Sequence, residues 1–401
     1  MKKLVLLFCS LLAWSGAFSQ NQNDDCKKKL EKVIEAYQQG TIDLIATENP
    51  LPDCMGYFGQ EDKIRAHKYL VLIYLYINEN AAAKSEMQAF MKAQLKSNPE
   101  YDPRQSEPEK GIPEFLELYN QLRSWPTYYY GLRLGANLGQ VETTKNFSLD
   151  RSNVLRGDYQ AELGYQIGIS FEFPFGGARQ SFSFVPELYY ERLRYLFTDV
   201  VLDFADLSFT EKQSRIMMPF LLKYHFKRAP RLSQNEETAK PVRNKIQPFI
   251  QAGAALSFTF QAQADLERVD VLPQLGGDGG GSRDPITGTA DLLNDKQRQA
   301  LNYGLLLGGG LRFRNFLKTG GDLSLETRFF WALNNQVQAA QRGDNLDLIY
   351  RFGYIDSDFK LHTLSISLGY LLPKYNPQPV LRGKQPYQTE FGKSDKKKKK
   401  E

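Results

Sequence analysis

Residues 160–173 read Gln-Ala-Glu-Leu-Gly-Tyr-Gln-Ile-Gly-Ile-Ser-Phe-Glu-Phe. Every second residue is apolar, from Ala161 through Leu163, Tyr165, Ile167, Ile169 and Phe171 to Phe173. Gln160, Glu162, Gly164, Gln166, Gly168, Ser170 and Glu172 alternate with them. A strict period of two gives a strand with one apolar face and one polar or small face. A strand that crosses a bilayer needs about 9–11 residues and carries aromatic residues near its ends. This stretch has the length, and Phe171 and Phe173 stand at one end of it.

The same period recurs along the chain. It runs from Tyr128 to Leu138, from Phe182 to Glu191 and from Ile216 to Phe226. It returns from Ile250 to Phe260, Leu301 to Phe313, Leu323 to Leu333 and Leu364 to Leu372. The tally is about eight strands, the number of the smallest closed membrane barrel. Closure matters because a barrel leaves no backbone group unpaired in lipid. The aromatic content of 13% agrees with girdles at the two membrane surfaces. Turns after strands two and six are short, at Gly176–Arg179 and Asn315–Gly321, while those after strands one, three, five and seven are long and polar. That asymmetry predicts short periplasmic turns and long outer loops, with Lys227–Lys245 as a long exception on the periplasmic side. Tyr128, Tyr130, Phe171, Phe173, Phe182, Phe184, Tyr224, Phe226, Phe313 and Tyr370 then gather at one interface, and Tyr190, Phe329 and Trp331 mark the other.

The first part of the chain is different. Residues 1–19 read as a secretory signal, with Lys2 and Lys3, an apolar run from Leu4 to Trp14, and Ala17-Phe18-Ser19 before the cut. Residues 20–124 read as a periplasmic helical domain. Leu30, Val33, Ile34 and Tyr37 have helical spacing, and Gly40 ends that helix. Further helices are expected over Glu61–Ile77, Ala81–Lys96 and Pro113–Arg123. The pair from Glu61 to Pro99 loosely resembles one tetratricopeptide-type hairpin; a small bundle without a peptide groove fits equally. Past the signal, Cys26 and Cys54 remain, and an even count in an exported chain predicts a disulfide. It would pin the loop Thr41–Gly59, whose Met55, Tyr57 and Phe58 suit partner contact if exposed. Residues 126–376 form the barrel. Residues 377–401, with Lys396–Lys400, read as a disordered basic periplasmic tail, either merely solvated or touching peptidoglycan or anionic headgroups. The net charge of +5 is too small to argue for nucleic acid.

Four stretches carry a resemblance. Arg-Ile-Met-Met-Pro-Phe-Leu-Leu-Lys-Tyr-His-Phe at 215–226 is similar to the fourth-strand signature of the PorT-like outer-membrane barrels of Bacteroidota. Gln-Pro-Phe-Ile-Gln-Ala-Gly-Ala at 247–254, Gly-Leu-Leu-Leu-Gly-Gly-Gly-Leu-Arg-Phe at 304–313 and Ser-Ile-Ser-Leu-Gly-Tyr at 365–370 resemble its later strands. The resemblance covers about residues 126–376 and implies an outer-membrane barrel. For its founding member the family implies a part in protein secretion and gliding.

The period also sorts the charges. Arg133, Glu162, Glu172, Glu187, Glu191, Arg215, Lys223, Arg312, Glu326 and Arg328 fall on the inward phase. An eight-stranded interior is just wide enough for side chains to fill, and buried charges must pair, so these predict a salt-bridged plug. The histidines are His67, His225 and His362, and no Ser-His-acid set is visible among them. The Gly-rich run at 275–284 lacks Gly-Lys-Ser/Thr and reads as an outer loop, not a phosphate loop. The expectation is a non-enzymatic protein without cofactor or metal. It sits in outer-membrane lipid and presents its helical domain to a periplasmic or outer-membrane partner, as in a secretion or envelope-assembly complex. The alternative is a small transport barrel or a lipid-modifying outer-membrane enzyme.

Overall fold

The computed structural model describes residues 22–42, 49–99, 101–106, 108–148, 157–175, 181–202, 204–226, 246–271, 283–316 and 320–379. The signal, most of the Gly-rich run, the turn at 227–245 and the tail beyond residue 379 lie outside them.

The helical part comprises α1 (22–38), α2 (Leu51–Cys54), α3 (Gln60–Tyr76), α4 (Asn80–Ser97) and α5 (Pro113–Gln121). Gly40, at φ +76°, ends α1 by taking a left-handed conformation that costs glycine little. In α4, Met87, Phe90, Met91 and Leu95 recur at helical spacing and are buried. They share one core with Leu30, Tyr69, Leu70 and Phe115. Glu109, although a carboxylate, is buried there, held by the Tyr101 hydroxyl at 2.9 Å and by Lys68 at 3.3 Å. Burial, and then the Glu109 charge, push the Tyr101 phenol far above its ordinary value. Cys26 and Cys54 are joined by a disulfide that ties α1 to α2 across 28 residues. Among the described residues of the loop it pins, Leu51, Cys54 and Phe58 are buried, and of its aromatic residues Tyr57 is the exposed one. Closing a loop of this size restrains the unfolded chain, and in the chain-entropy picture that is worth about 3–4 kcal/mol. Cys26→Ala with Cys54→Ala should therefore lower the unfolding free energy of the helical part by that order, measured by denaturant titration of the refolded protein with the barrel signal followed separately.

Nine strands follow: β1 (Tyr128–Lys145), β2 (Asp158–Phe175), β3 (Phe182–Val201), β4 (Ala205–His225), β5 (Ile246–Asp270), β6 (Ile286–Asp291), β7 (Leu301–Phe313), β8 (Asp322–Ala332) and β9 (Asp358–Lys374). Eight of them close an antiparallel ring, in which β1 pairs with both β2 and β9, and β4 pairs with both β3 and β5. β6 is an addition that pairs with the last part of β5. One end of the ring holds Tyr128 and Lys374 and lies against the helical part; it is called proximal here, and the other end distal. Gly320, in the proximal β7–β8 turn, sits close to Lys96 and Pro99 of the helical part.

The ring has an apolar belt. Leu132, Leu134, Ile167, Ile169, Leu222, Ile250, Leu305 and Ile366 all face outward and are exposed. At its proximal edge the rings of Tyr128, Tyr130 and Phe173 cluster, as do those of Phe175, Phe182, Tyr224 and Phe226. At its distal edge Tyr190 lies between Tyr165 and Phe260, with ring centroids 6.1 Å from each.

Beyond that edge the structure departs from the expected long outer loops. β3 and β4 are 20 and 21 residues long and are joined by only three residues, 202–204. In this extension the polarity of the wall is inverted. Leu193, Tyr195, Phe197, Leu207, Phe209, Ala262, Ala264 and Leu266 face inward, and they pack with Leu348, Phe352, Tyr354 and Phe359 into a second apolar core. Such a wall is that of a water-soluble barrel, so the inversion marks where the bilayer ends. On the other side of the ring β8 stops early, and side chains take over from the sheet. Asn335 bonds Val337, Asp358 and Phe359, and Asn334 bonds Tyr303 and Asn302. His362 stands on the outward phase but is buried, accepting the Ala332 N–H at Nδ1 (3.1 Å) with Nε2 at 2.7 Å from Glu142.

A cation at mid-belt tests the placement of the bilayer. Leu222→Arg should destabilise the barrel by about 2–4 kcal/mol, read from urea unfolding in vesicles, whereas Thr210→Arg on the extension should change it little.

Candidate functional site

The lumen is built in storeys by the inward phase of the strands. In the proximal storey Glu172 of β2 is completely enclosed. Arg312 reaches it at 2.8 Å, Lys223 at 3.3 Å, the Ser183 hydroxyl at 3.0 Å and His225 Nε2 at 3.0 Å. Arg312 also bonds Asp322 at 2.9 Å and lies over the Tyr129 ring, while Lys223 lies over Phe249. Two cations meet two carboxylates here.

The middle storey repeats that balance. Glu187 is gripped by both terminal nitrogens of Arg328, at 2.5 and 2.9 Å, by Arg133 at 3.1 Å and by the Tyr189 hydroxyl at 2.7 Å. Glu326 pairs with Arg133 and with Arg328, and accepts from Gln251 at 2.7 Å. Gly168 leaves room for this: a methyl group there would come within 2.3 Å of the Tyr189 ring. Above it, Arg215 bonds Glu191 at 2.8 Å and Thr363 at 2.8 Å. An opening beside Tyr189, Arg328 and Phe330 is about 10 Å³, at most the space of one water.

A further cluster lies in the extension. Arg298, from the segment between β6 and β7, is fully enclosed between Glu211 and Asp356, with contacts of 2.7 and 2.8 Å. Tyr195 donates to Glu211, and Tyr354 donates to Asp356 at 2.8 Å. Against the cost of burial, Asp356 and then Glu211 hold the Arg298 guanidinium well above its ordinary value. Burial, followed by the Asp356 charge, does the same to the Tyr354 phenol.

Of the ten charges assigned to the lumen from the sequence, nine lie in these storeys. Glu162 does not. A β-bulge between Glu162 and Tyr165 inserts an extra residue in β2 and turns Glu162 to the outer wall, where it pairs with Arg194 at 3.0 Å. Asp322, Glu211, Arg298 and Asp356 were not assigned. Asp322 shares the phase of Ser324 and Glu326 and was within reach of the pattern, whereas Arg298 lies outside any period.

Ser183, His225 and Glu172 come together although no such set was visible in the sequence. Their geometry is not that of a nucleophilic triad. One histidine nitrogen, Nε2, faces both the serine oxygen (3.4 Å) and the glutamate (3.0 Å), whereas a triad uses opposite nitrogens for the two. The serine also donates to the glutamate itself, and it is completely enclosed. The arrangement neutralises charge.

At the proximal mouth the two ends of the barrel grip the helical part. Arg123 N–H donates to Gln378 at 3.0 Å, Leu122 and Pro379 form an antiparallel bridge, and Thr127 N–H donates to Lys374 at 2.8 Å. Tyr375 is buried in the core of the helices, and Pro377 is buried beside it. Residues 377–379, expected in a disordered tail, are thus part of the clasp.

The middle storey makes a direct test. Glu187→Ala leaves Arg133 and Arg328 short of a carboxylate in a closed interior, and the loss should be about 3–5 kcal/mol in urea unfolding. Glu187→Gln should cost less, because it keeps hydrogen-bond acceptance. The wild-type barrel in planar bilayers should show no stable channel openings.

The sequence matches no curated protein. Among solved structures, the outer membrane protein OprG from Pseudomonas aeruginosa is 12% identical, with a TM-score of 0.31 over 62% of this chain and 97% of that one. Neisserial surface protein A is 12% identical, with a TM-score of 0.25 over 62% and 97% of the two chains. The outer membrane enzyme PagL is 12% identical, with a TM-score of 0.24 over 60% and 99%. Residues 120–235, which run from α5 through β4, match the family model described as outer membrane protein beta-barrel domain, and the closed eight-stranded ring with its apolar belt has the fold of an outer-membrane β-barrel.

Proposed function

We propose that the barrel is an anchor that holds its helical domain at the periplasmic face of the outer membrane, where the domain meets a protein partner. The observation that carries this reading is the clasp. Residues 122–127 and 374–379 fix the helices to the proximal mouth, and Tyr375 completes their core. A domain that only needed tethering could hang from one flexible linker. The filled lumen supports the same reading, since a transport barrel needs a path. The short proximal turn at β7–β8 and the extended distal strands favour a periplasmic proximal end. The stretches at 215–226, 247–254, 304–313 and 365–370 favour the PorT-like barrels of Bacteroidota as relatives, and with them a place in a secretion or envelope-assembly complex.

Tyr57 and Tyr76 are 44% and 52% exposed and offer sites on the helical domain for a photoreactive phenylalanine. In cells, these positions should give covalent adducts with a discrete protein. Ile366, in the lipid belt, should give none. Deleting residues 24–121 should abolish the envelope phenotype of the gene while the barrel still shows heat-modifiable migration. A truncated barrel that inserts and keeps the full phenotype would overturn the anchor reading.

A further inference from the structure

The outer wall of the extension is mainly polar from Arg192 to Thr198 on β3 and from Ser208 to Ser214 on β4. At the tip it becomes apolar again. Val200 is 46% exposed, Leu202 49%, Phe204 39% and Val271 45%. Val271 N–H bonds the Phe204 carbonyl, so the β3–β4 turn and the end of β5 present these side chains as one patch. Leu202 holds φ at +55°, the left-handed conformation by which the tight β3–β4 connection reverses the chain. Directly beneath is a cleft of about 450 Å³ lined by Asp158, Asp206 and Glu267 around Val200 and Val269. Among the described residues, none of these three carboxylates has an ion-pair partner.

We propose that this tip binds a polypeptide segment in which apolar and cationic side chains alternate. The site lies at the opposite end from the helical domain and is independent of the anchor reading. Three arguments fix the occupant. Apolar side chains grouped in water mark a contact surface, and the carboxylates set the sign of its charge, because Arg268, which lies over the Phe204 ring, is already paired with Asp270 at 2.7 Å. Lipid is too far away. From Tyr190 at the belt edge to Val200, ten residues of tilted strand rise about 25 Å, beyond the headgroup layer. A second copy is disfavoured because a two-fold contact would bring the same carboxylates face to face. An extended partner with period two would place its apolar residues on Val200, Leu202 and Phe204 and its cations over Asp206 and Glu267.

The test uses the full chain in phosphatidylcholine nanodiscs, with empty nanodiscs as the baseline. The probes are two synthetic peptides of equal length, one alternating Leu and Lys and the other alternating Leu and Glu. The wild type should bind the Leu/Lys peptide at least tenfold more tightly than the Leu/Glu peptide. Leu202→Ser with Phe204→Ser should weaken that binding tenfold or more. Asp206→Lys with Glu267→Lys should reverse the preference between peptides. All four positions are solvent-facing, and heat-modifiable migration reports that each variant has folded. Equal binding of the two peptides by the wild type, or unchanged Leu/Lys binding in either folded variant, would overturn the proposal. A wild-type dimer lost in the Leu202/Phe204 variant would assign the tip to a second copy and overturn it as well.

Discussion

A backbone amide that enters hydrocarbon must bring its partner with it, and the ring is the answer to that demand. β1 meets β9 along nearly its whole length, from Tyr128 opposite Lys374 to Lys145 opposite Asp358. β4 meets β5 from Ala205 to His225. With no edge left, the outer surface is free to be apolar and the inner surface is obliged to be small. Eight strands leave a bore that side chains fill. Once water is excluded from the bore, each charge must find its counter-charge within it. Arg133, Arg328, Glu187 and Glu326 meet these conditions together, and so do Glu172, Asp322, Arg312 and Lys223. Closure therefore dictates the contents of the lumen.

The same wall serves two solvents. In the belt the outside is apolar and the inside polar; in the extension the two are exchanged. The exchange lets the barrel continue past the bilayer without becoming a set of loose loops, because the apolar residues around Phe209, Tyr354 and Phe359 supply a core that the charged storeys below do not. Arg298 with Glu211 and Asp356 sits within that apolar setting, paired and buried, and the segments carrying Arg298 and Asp356 are pinned to β4. The distal end is in this sense a small soluble protein built on top of a membrane one.

How far the sequence revealed this depends on the strand. Between Phe182 and Phe197 on β3, the apolar residues switch from even to odd positions between Tyr190 and Leu193, so the inversion is written in the sequence. On β5 they do not switch. Ile250, Ala252, Ala254, Leu256, Phe258 and Phe260 are followed by Ala262, Ala264 and Leu266 with the period unbroken. There the bulge opposite Ser214 and Arg215 turns the wall, and the same apolar phase passes from outside to inside. β2 hides its inversion the same way, which is why Glu162 read as a lumen charge. A bulge is a matter of pairing between strands, and a single strand's period carries no trace of it. The lumen charges below the bulges were legible from parity alone. Arg298 and Asp356 were not, since they reach the core from irregular segments.

The clasp at the proximal mouth has a consequence for the order in which the molecule can be made. The helices are near the start of the chain, and Tyr375, which lies in their core, is near its end. Tyr375 reaches that position only when β9 lies beside β1, and β9 is the last strand of the ring. A chain still threading toward the membrane thus carries a helical bundle with one core residue missing and its 122–127 edge unpaired. Completion of the first-made part waits on arrival of the last-made part, so the finished surface of the helical domain exists only on a barrel that has shut.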